Sequence, residues 1–378
     1  MRPNDGTVGD ERHGGPRPLA LYLHLAALAA EPQQGPDGVG IAPAATPDDL
    51  RRFLDGLRAY WTHPYRRQPS ETQIIWTDGS SRLLDYGGPA DRPILIIPSL
   101  INRAYILDLT TRRSFVAHLA GAGYRPLLLD WGLPRGAALS STLAELIYER
   151  AHGVLDAALR LTGQRPVLLG YCMGGLVACA LAQARRDDLA GLALLATPWD
   201  FRPGAAGVAP QLAAGLLPLT LGIATMGHAP VELLQTFFVL LDPLRVVRKF
   251  QRFADLPIDS PQARLFVAVE DWLNDGVPLA GPVAQECLWH WYVENRPGLG
   301  TWAPGGAAVR PEGLTLPAFV ALPQKDRIVP AASAEALARR LPQATVIRPA
   351  GGHISMLVGD AAQAQLWQPF TQWLRRIA

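Results

Sequence analysis

One thiol of this chain sits where a reactive side chain could be held out for use. In Leu168-Leu169-Gly170-Tyr171-Cys172-Met173-Gly174-Gly175 an apolar run meets glycine, and an alanine- and leucine-rich stretch free of proline and glycine follows from Leu176 to Ala184. That order predicts a buried strand, a tight turn and a helix lying on a sheet. A side chain in such a turn is strained and exposed, and Gly170 and Gly174 let neighbouring backbone come close. Cys172 is therefore read as a nucleophile: the helix N-terminus favours its thiolate, and a histidine nearby can take its proton. The backbone N–H of Met173, the next residue, is one donor for an oxyanion. A buried structural cysteine in a glycine-rich turn is the competing reading, and the motif alone leaves the two level.

The partners tip the balance. Asp326 follows the apolar run Phe319 to Leu322 in Gln324-Lys325-Asp326-Arg327-Ile328-Val329-Pro330, and His353 follows Ala344 to Arg348 in Gly351-Gly352-His353-Ile354. Each falls just past the carboxyl end of an expected strand, the edge at which open sheets build their sites. Singly, Asp326 reads as a helix cap and His353 as a loop histidine; with Cys172 they make a triad in which His353 accepts the thiol proton and Asp326 orients the imidazole. Pro98-Ser99-Leu100-Ile101-Asn102-Arg103 follows another strand and offers the second oxyanion amide, from Leu100 or Ile101. Asn102, Asp130 and Trp131 are substrate-binding candidates, although Asp130-Trp131-Gly132 reads better as a loop held by its own hydrogen bonds. Cys179 within the helix and Cys287 near Trp289 read as packing, and His228 and His290 as structural. Ser355, close to His353, does not sit on an elbow.

The elements that must position these residues alternate. Gln73–Thr77 and Arg82–Tyr86 flank the turn Asp78-Gly79-Ser80 as an antiparallel pair. Pro93–Ile97, Pro126–Asp130, Pro166–Leu169 and Gly191–Leu195 are continuous apolar strands, separated by helical stretches at Leu107–Ala122, Thr142–Leu161 and Leu176–Ala184. The rhythm stops at Thr197-Pro198-Trp199-Asp200, gives way to a helical, aromatic stretch from Gly204 to about Pro304, and resumes at Pro317. Fold class is α/β with a mostly parallel sheet and a helical cap inserted into it. The boundaries are 1–66 for a flexible and helical N-terminal region, 67–200 and 306–378 for the two parts of the core, and 201–305 for the cap.

A chain of 378 residues, 49% of them apolar, buries a large core, and its formal net charge of +2 gives no global field toward nucleic acid or an anionic membrane. Three cysteines without metal-like spacing indicate neither a disulfide framework nor a metal site and fit a reducing cytoplasm. Leu19 to Ala30 is too short for a membrane span and lacks a positively charged lead, so it reads as an amphipathic docking helix between disordered stretches, 1–18 and 32–47, with a helix capped at Thr46-Pro47-Asp48-Asp49 beyond them.

The chain order nucleophile, acid, histidine resembles that of α/β-hydrolases. More specifically, the chain resembles the polyhydroxyalkanoate synthases, in particular the short catalytic subunits. The resemblance is carried by Asn102-Arg103-Ala104-Tyr105-Ile106-Leu107-Asp108-Leu109, Leu129-Asp130-Trp131-Gly132, Gly170-Tyr171-Cys172-Met173-Gly174-Gly175, Thr197-Pro198-Trp199-Asp200-Phe201, Asp271-Trp272-Leu273-Asn274-Asp275, Asp326 before Ile328-Val329-Pro330, and Gly351-Gly352-His353-Ile354. It runs from about Pro93 to the C-terminus; Gln324-Lys325 departs from the glycine-led approach to the acid usual in the family. The resemblance implies polymerisation of 3-hydroxyacyl-coenzyme A into polyester through an acyl-cysteine, with coenzyme A entering only as part of the substrate and no separate cofactor. It also implies a homodimer, a second synthase subunit and a place at the polyester granule surface. Trp272, Trp289 and Trp291 would then wall a lid that excludes water. A cysteine-dependent hydrolase (polyester depolymerase or thioesterase) and a non-catalytic granule-associated partner are the alternatives, distinguished by whether acyl groups end in polymer, in free acid, or never reach Cys172.

Overall fold

The computed structural model describes residues 13–30, 33–34, 40–41, 46–202 and 219–377. These fall into two compact units, one drawn from Met1–Arg67 with Glu232–Asp275 and the other from Gln68–Val231 with Gly276–Ala378.

The larger unit is an α/β sheet domain. Among the described residues the strands of its main sheet are β1 (Gln73–Asp78), β2 (Ser81–Asp85), β3 (Pro93–Ile97), β4 (Arg125–Asp130), β5 (Val167–Tyr171), β6 (Gly191–Leu195), β7 (Ala318–Ala321) and β8 (Ala344–Ile347). They lie in the order β8-β7-β6-β5-β3-β4-β2-β1. From β4 to β8 every pairing is parallel, whereas β2 pairs antiparallel with both β1 and β4. All residues of β3, β5, β6 and β7 are buried, which is why their sequences are unbroken apolar runs rather than alternating ones. Helices cover the sheet, among them Met173–Ala184, in which every residue from Met173 to Ala182 is buried. The expected α/β class with a helical insertion is what the structure has.

One helical expectation fails. Leu107–Ala122 is a helix only over Phe115–Gly121; before it, Asp108–Thr110 and Arg113–Ser114 form a small antiparallel ladder. The buried Asp108 carboxylate accepts hydrogen bonds from Ser70 Oγ (2.9 Å) and Tyr86 Oη (3.3 Å), and Ser114 Oγ caps the shortened helix by accepting from the Ala117 N–H at 3.0 Å. Side chains that compete for backbone and long-range partners override the helical spacing here.

The smaller unit is helical. The helix Pro47–Thr62 starts as expected: Thr46 accepts from the Asp49 N–H, and Asp49 accepts from the Thr46 N–H, a reciprocal capping box. It crosses the helix Pro243–Ala254 at Gly56, where a Cβ would collide with the Phe250 carbonyl. Phe53, Leu57, Tyr60, Val246, Val247 and Phe250 form the core with Tyr22 and Ala26 of the helix Leu19–Ala30. That helix is not amphipathic, because Leu23 and Leu28 on its outer side are exposed. Its inner face is instead occupied within the chain, and the docking reading is corrected to that extent.

Part of the segment expected to be disordered is also ordered. His13 is buried, with Nδ1 2.7 Å from Asp271 Oδ1 and Nε2 2.8 Å from the His63 carbonyl, and Tyr60 Oη donates to the same Asp271 oxygen at 2.8 Å. Residues 1–12, most of 31–45 and residues 203–218 of the expected cap lie outside the described residues.

Candidate active site

Cys172 occupies the elbow between β5 and the helix Met173–Ala184, with φ at +55° and ψ at −126°. A non-glycine residue pays about 1–3 kcal/mol for such a conformation, so the neighbours must enforce it. Two hydrogen bonds do so: the Cys172 N–H donates to the Leu195 carbonyl and the Gly175 N–H to the Cys172 carbonyl, each at 2.9 Å. The flanking glycines are there because nothing larger fits. A Cβ on Gly170 would meet backbone of Gly174 and Gly175, one on Gly174 the carbonyls of Ile97 and Pro98, and one on Gly175 the Thr197 side chain. The turn thus stacks β5, the loop after β3 and the loop after β6 on one another at van der Waals distance, and it leaves Cys172 at the N-terminus of a buried helix.

His353 comes from the loop after β8 and Asp326 from the loop after β7. His353 Nδ1 donates to Asp326 Oδ2 at 2.7 Å, and the other carboxylate oxygen accepts from the N–H groups of Ile328 (2.8 Å) and Val329 (2.9 Å). Asp326 is thus fully coordinated and can turn only one oxygen to the imidazole. The histidine loop is pinned in turn: the Lys325 N–H donates to the Gly351 carbonyl at 3.0 Å, Ser355 Oγ accepts from the Gly352 N–H at 2.8 Å, and Gln365 Oε1 accepts from the Ala350 N–H at 2.8 Å. Ser355 therefore serves the loop.

The electrostatics converge on His353. Burial opposes its protonation, but the negative charges of Cys172 and Asp326 and hydrogen bonds to both side chains outweigh burial and raise its pKa. The imidazole holds its proton most firmly beside a negatively charged sulfur. Tyr171, absent from the sequence-derived site although it stands in the motif, lies under this pair. Its ring is tilted against the imidazole with centroids 5.1 Å apart, and its hydroxyl donates to the His353 carbonyl at 3.4 Å. Burial first, then the charges of Cys172 and Asp326, raise the phenol's pKa and keep it a donor.

The other sequence-derived candidates divide. Leu100 and Ile101 lie in the loop after β3, next to the Pro98 carbonyl on which Gly174 rests. Asn102 forms an antiparallel bridge with Gly276. Asp130 has both oxygens engaged, Oδ2 by Arg82 at 2.6 Å and Oδ1 by the Gly132 N–H at 3.0 Å, which is the loop-holding arrangement. Trp131 donates to the Pro98 carbonyl at 3.3 Å and lines a cavity with Leu100 and Val277. Cys179 and Cys287 are buried thiols whose pKa burial raises. Of the tryptophans expected to wall a lid, Trp291 is buried against Phe201 and Trp302, while Trp289 is 45% exposed.

The comparisons with known proteins agree with this architecture. Residues 92–360 match the family model described as the alpha/beta hydrolase fold. The poly(3-hydroxyalkanoate) polymerase subunit PhaC of Synechocystis sp. is 31% identical over 76% of this chain and 78% of its own length. The chain belongs to this family, within the α/β-hydrolase fold. A second polymerase subunit, from Allochromatium vinosum, is 28% identical over 81% of this chain and 88% of its own. Among solved structures, a monoacylglycerol lipase from Paleococcus ferrophilus covers 82% of this chain and all of its own at a TM-score of 0.50 and 16% identity, a likeness of fold alone. Among the described residues of this polymerase-subunit relative, no helix is long and apolar enough to cross a membrane.

Proposed function

We propose that this chain is an acyltransferase that polymerises 3-hydroxyacyl-coenzyme A into polyester through an acyl-Cys172 intermediate. The observation that carries the reading is the buried Asp326–His353 pair, coupled to a cysteine rather than a serine on the strained elbow. The Cys172 thiolate attacks the thioester carbonyl, the oxyanion is received by the Met173 N–H and by Leu100 or Ile101, and the carbon–sulfur bond to coenzyme A breaks as His353 protonates the departing thiolate. His353, now neutral, takes the proton of a bound 3-hydroxyacyl hydroxyl; that oxygen attacks the acyl-cysteine, an ester forms and the Cys172 thiolate is released.

Cysteine suits this sequence of transfers. A thioester exchanged for a thioester stays activated for the second attack, whereas a serine ester would discard much of that driving force. The short catalytic-subunit type, with a homodimer, a second subunit and work at the granule surface in the cytoplasm, is the setting that the resemblance supplies to this reading. The test is to incubate the purified protein with 3-hydroxybutyryl-coenzyme A, with and without a candidate second subunit, following thiol release and product size. Polymer with stoichiometric thiol release supports the transferase; monomeric acid makes the protein a thioesterase.

A further inference from the structure

The loop after β3 is held by a segment far along the chain. The Ile101 carbonyl accepts a hydrogen bond from the Val277 N–H at 2.9 Å, and Asn102 bridges Gly276 in antiparallel fashion. Gly276 and Val277 are the first residues of the sheet domain after Glu232–Asp275, so the chain returning to that domain is stitched at once to the loop carrying Leu100 and Ile101. Leu100 of this loop and Val277 line one pocket together with Trp131, Leu146 and Val283. Within the loop, the approach of the Ile101 N–H to Ser99 Oγ is long, at 3.5 Å, and holds it weakly.

We propose that Val277 is a positioning residue for acyl transfer: its backbone N–H, bound to the Ile101 carbonyl, fixes the loop whose Leu100 or Ile101 amide completes the oxyanion hole. This rests on the reading of Cys172 as an acylated nucleophile. An oxyanion donor works only when it is aimed in advance at the position the charged oxygen will take, and displacement by an ångström costs on the order of a hundredfold in rate. Without the Val277 tie, the loop can relax toward that pocket, and the donor drifts while Cys172 and His353 stay in place.

The test separates the backbone donor from the side chain and the oxyanion from the thiol. In the full-length protein, Val277→Pro removes the N–H, Val277→Ala keeps it and shortens the side chain, and replacing Val277 by its α-hydroxy acid exchanges the N–H for an ester oxygen while keeping the side chain. Acylation of Cys172 by 3-hydroxybutyryl-coenzyme A is read beside alkylation of Cys172 by iodoacetamide, a displacement that needs no oxyanion hole. The expected result is a kcat lowered about 10- to 100-fold in the proline and hydroxy-acid variants, with KM and the alkylation rate within about threefold of the parent, and near-parental acylation in Val277→Ala. The hydroxy-acid variant decides the matter if the proline variant does not fold. Parental kcat in the hydroxy-acid variant, or an equal loss in Val277→Ala, overturns the proposal. If the parent protein itself leaves Cys172 unacylated, the functional reading falls, and this inference falls with it.

Discussion

His353 Nδ1 lies 2.7 Å from Asp326 Oδ2, with both side chains buried and the second carboxylate oxygen committed to two backbone N–H groups. That commitment decides what an amide would do in its place. In Asp326→Asn the amide oxygen is retained by the N–H groups of Ile328 and Val329, which turns the NH2 toward His353 and forces Nδ1 to accept. The imidazole then carries its proton on the wrong nitrogen. We expect kcat for coenzyme A release to fall about 10²- to 10⁴-fold with the fold intact, measured by steady-state thiol release and circular dichroism.

His353 owes its raised pKa to Cys172 before Asp326, against the pull of burial. Removing the sulfur should therefore lower that pKa even though Asp326 remains. Following the His353 ring protons by NMR in the parent and in Cys172→Ala checks this; equal titration midpoints would contradict a thiolate–imidazolium pair. The linkage has a definite sign. The folded pKa, about 10, lies above the ordinary 6.5, so the stability contributed by His353 is complete below pH 6.5 and drains away as the pH rises toward 10.

The elbow glycines make a steric prediction. In Gly174→Ala the new methyl would strike the carbonyls of Ile97 and Pro98, backbone groups of β3 and its loop that cannot swing aside. Overpacking of this kind costs about 1–3 kcal/mol, and more where backbone must shift. A lowered thermal midpoint together with loss of acylation is expected, and an unchanged midpoint would mean that the loop yields more readily than its geometry implies.

In the helical unit, Lys249 Nζ donates to both oxygens of the buried Glu270, at 2.8 and 2.7 Å, and the ammonium lies 5.5 Å from the centre of the Tyr22 ring. Lys249→Ala leaves the carboxylate uncompensated and should destabilise the protein by about 3–5 kcal/mol, whereas replacing the pair by apolar residues of similar volume should recover most of that loss. Denaturant titration of the two variants measures both values.

What the sequence reveals follows the range of the interactions involved. The strands β3, β5, β6 and β7 are legible because each is a short apolar run buried on both faces, and Cys172, Asp326 and His353 are legible because each follows an expected strand at the same sheet edge. The elbow can be read down to its glycines, whose neighbours the structure then supplies. The ladder before Phe115 is hidden, since it depends on Ser70 and Tyr86 meeting Asp108 from elsewhere in the chain. The surroundings of Leu19–Ala30 are hidden for the same reason: Phe250, the partner of Tyr22 in that core, lies more than 200 residues away, and a short apolar helix seen alone looks like an address or a docking element. Val277 carries no motif at all, because its contribution is a backbone N–H that any residue but proline supplies.

The central claim is that substrate becomes covalently attached to Cys172. The direct measurement is the intact mass of the protein after brief exposure to 3-hydroxybutyryl-coenzyme A, followed by mapping of the modified peptide. The account requires an acyl adduct on the peptide containing Cys172, absent from Cys172→Ala and extending by whole hydroxybutyryl units as exposure lengthens. An unmodified Cys172 during turnover, or an adduct that persists in Cys172→Ala, would contradict it.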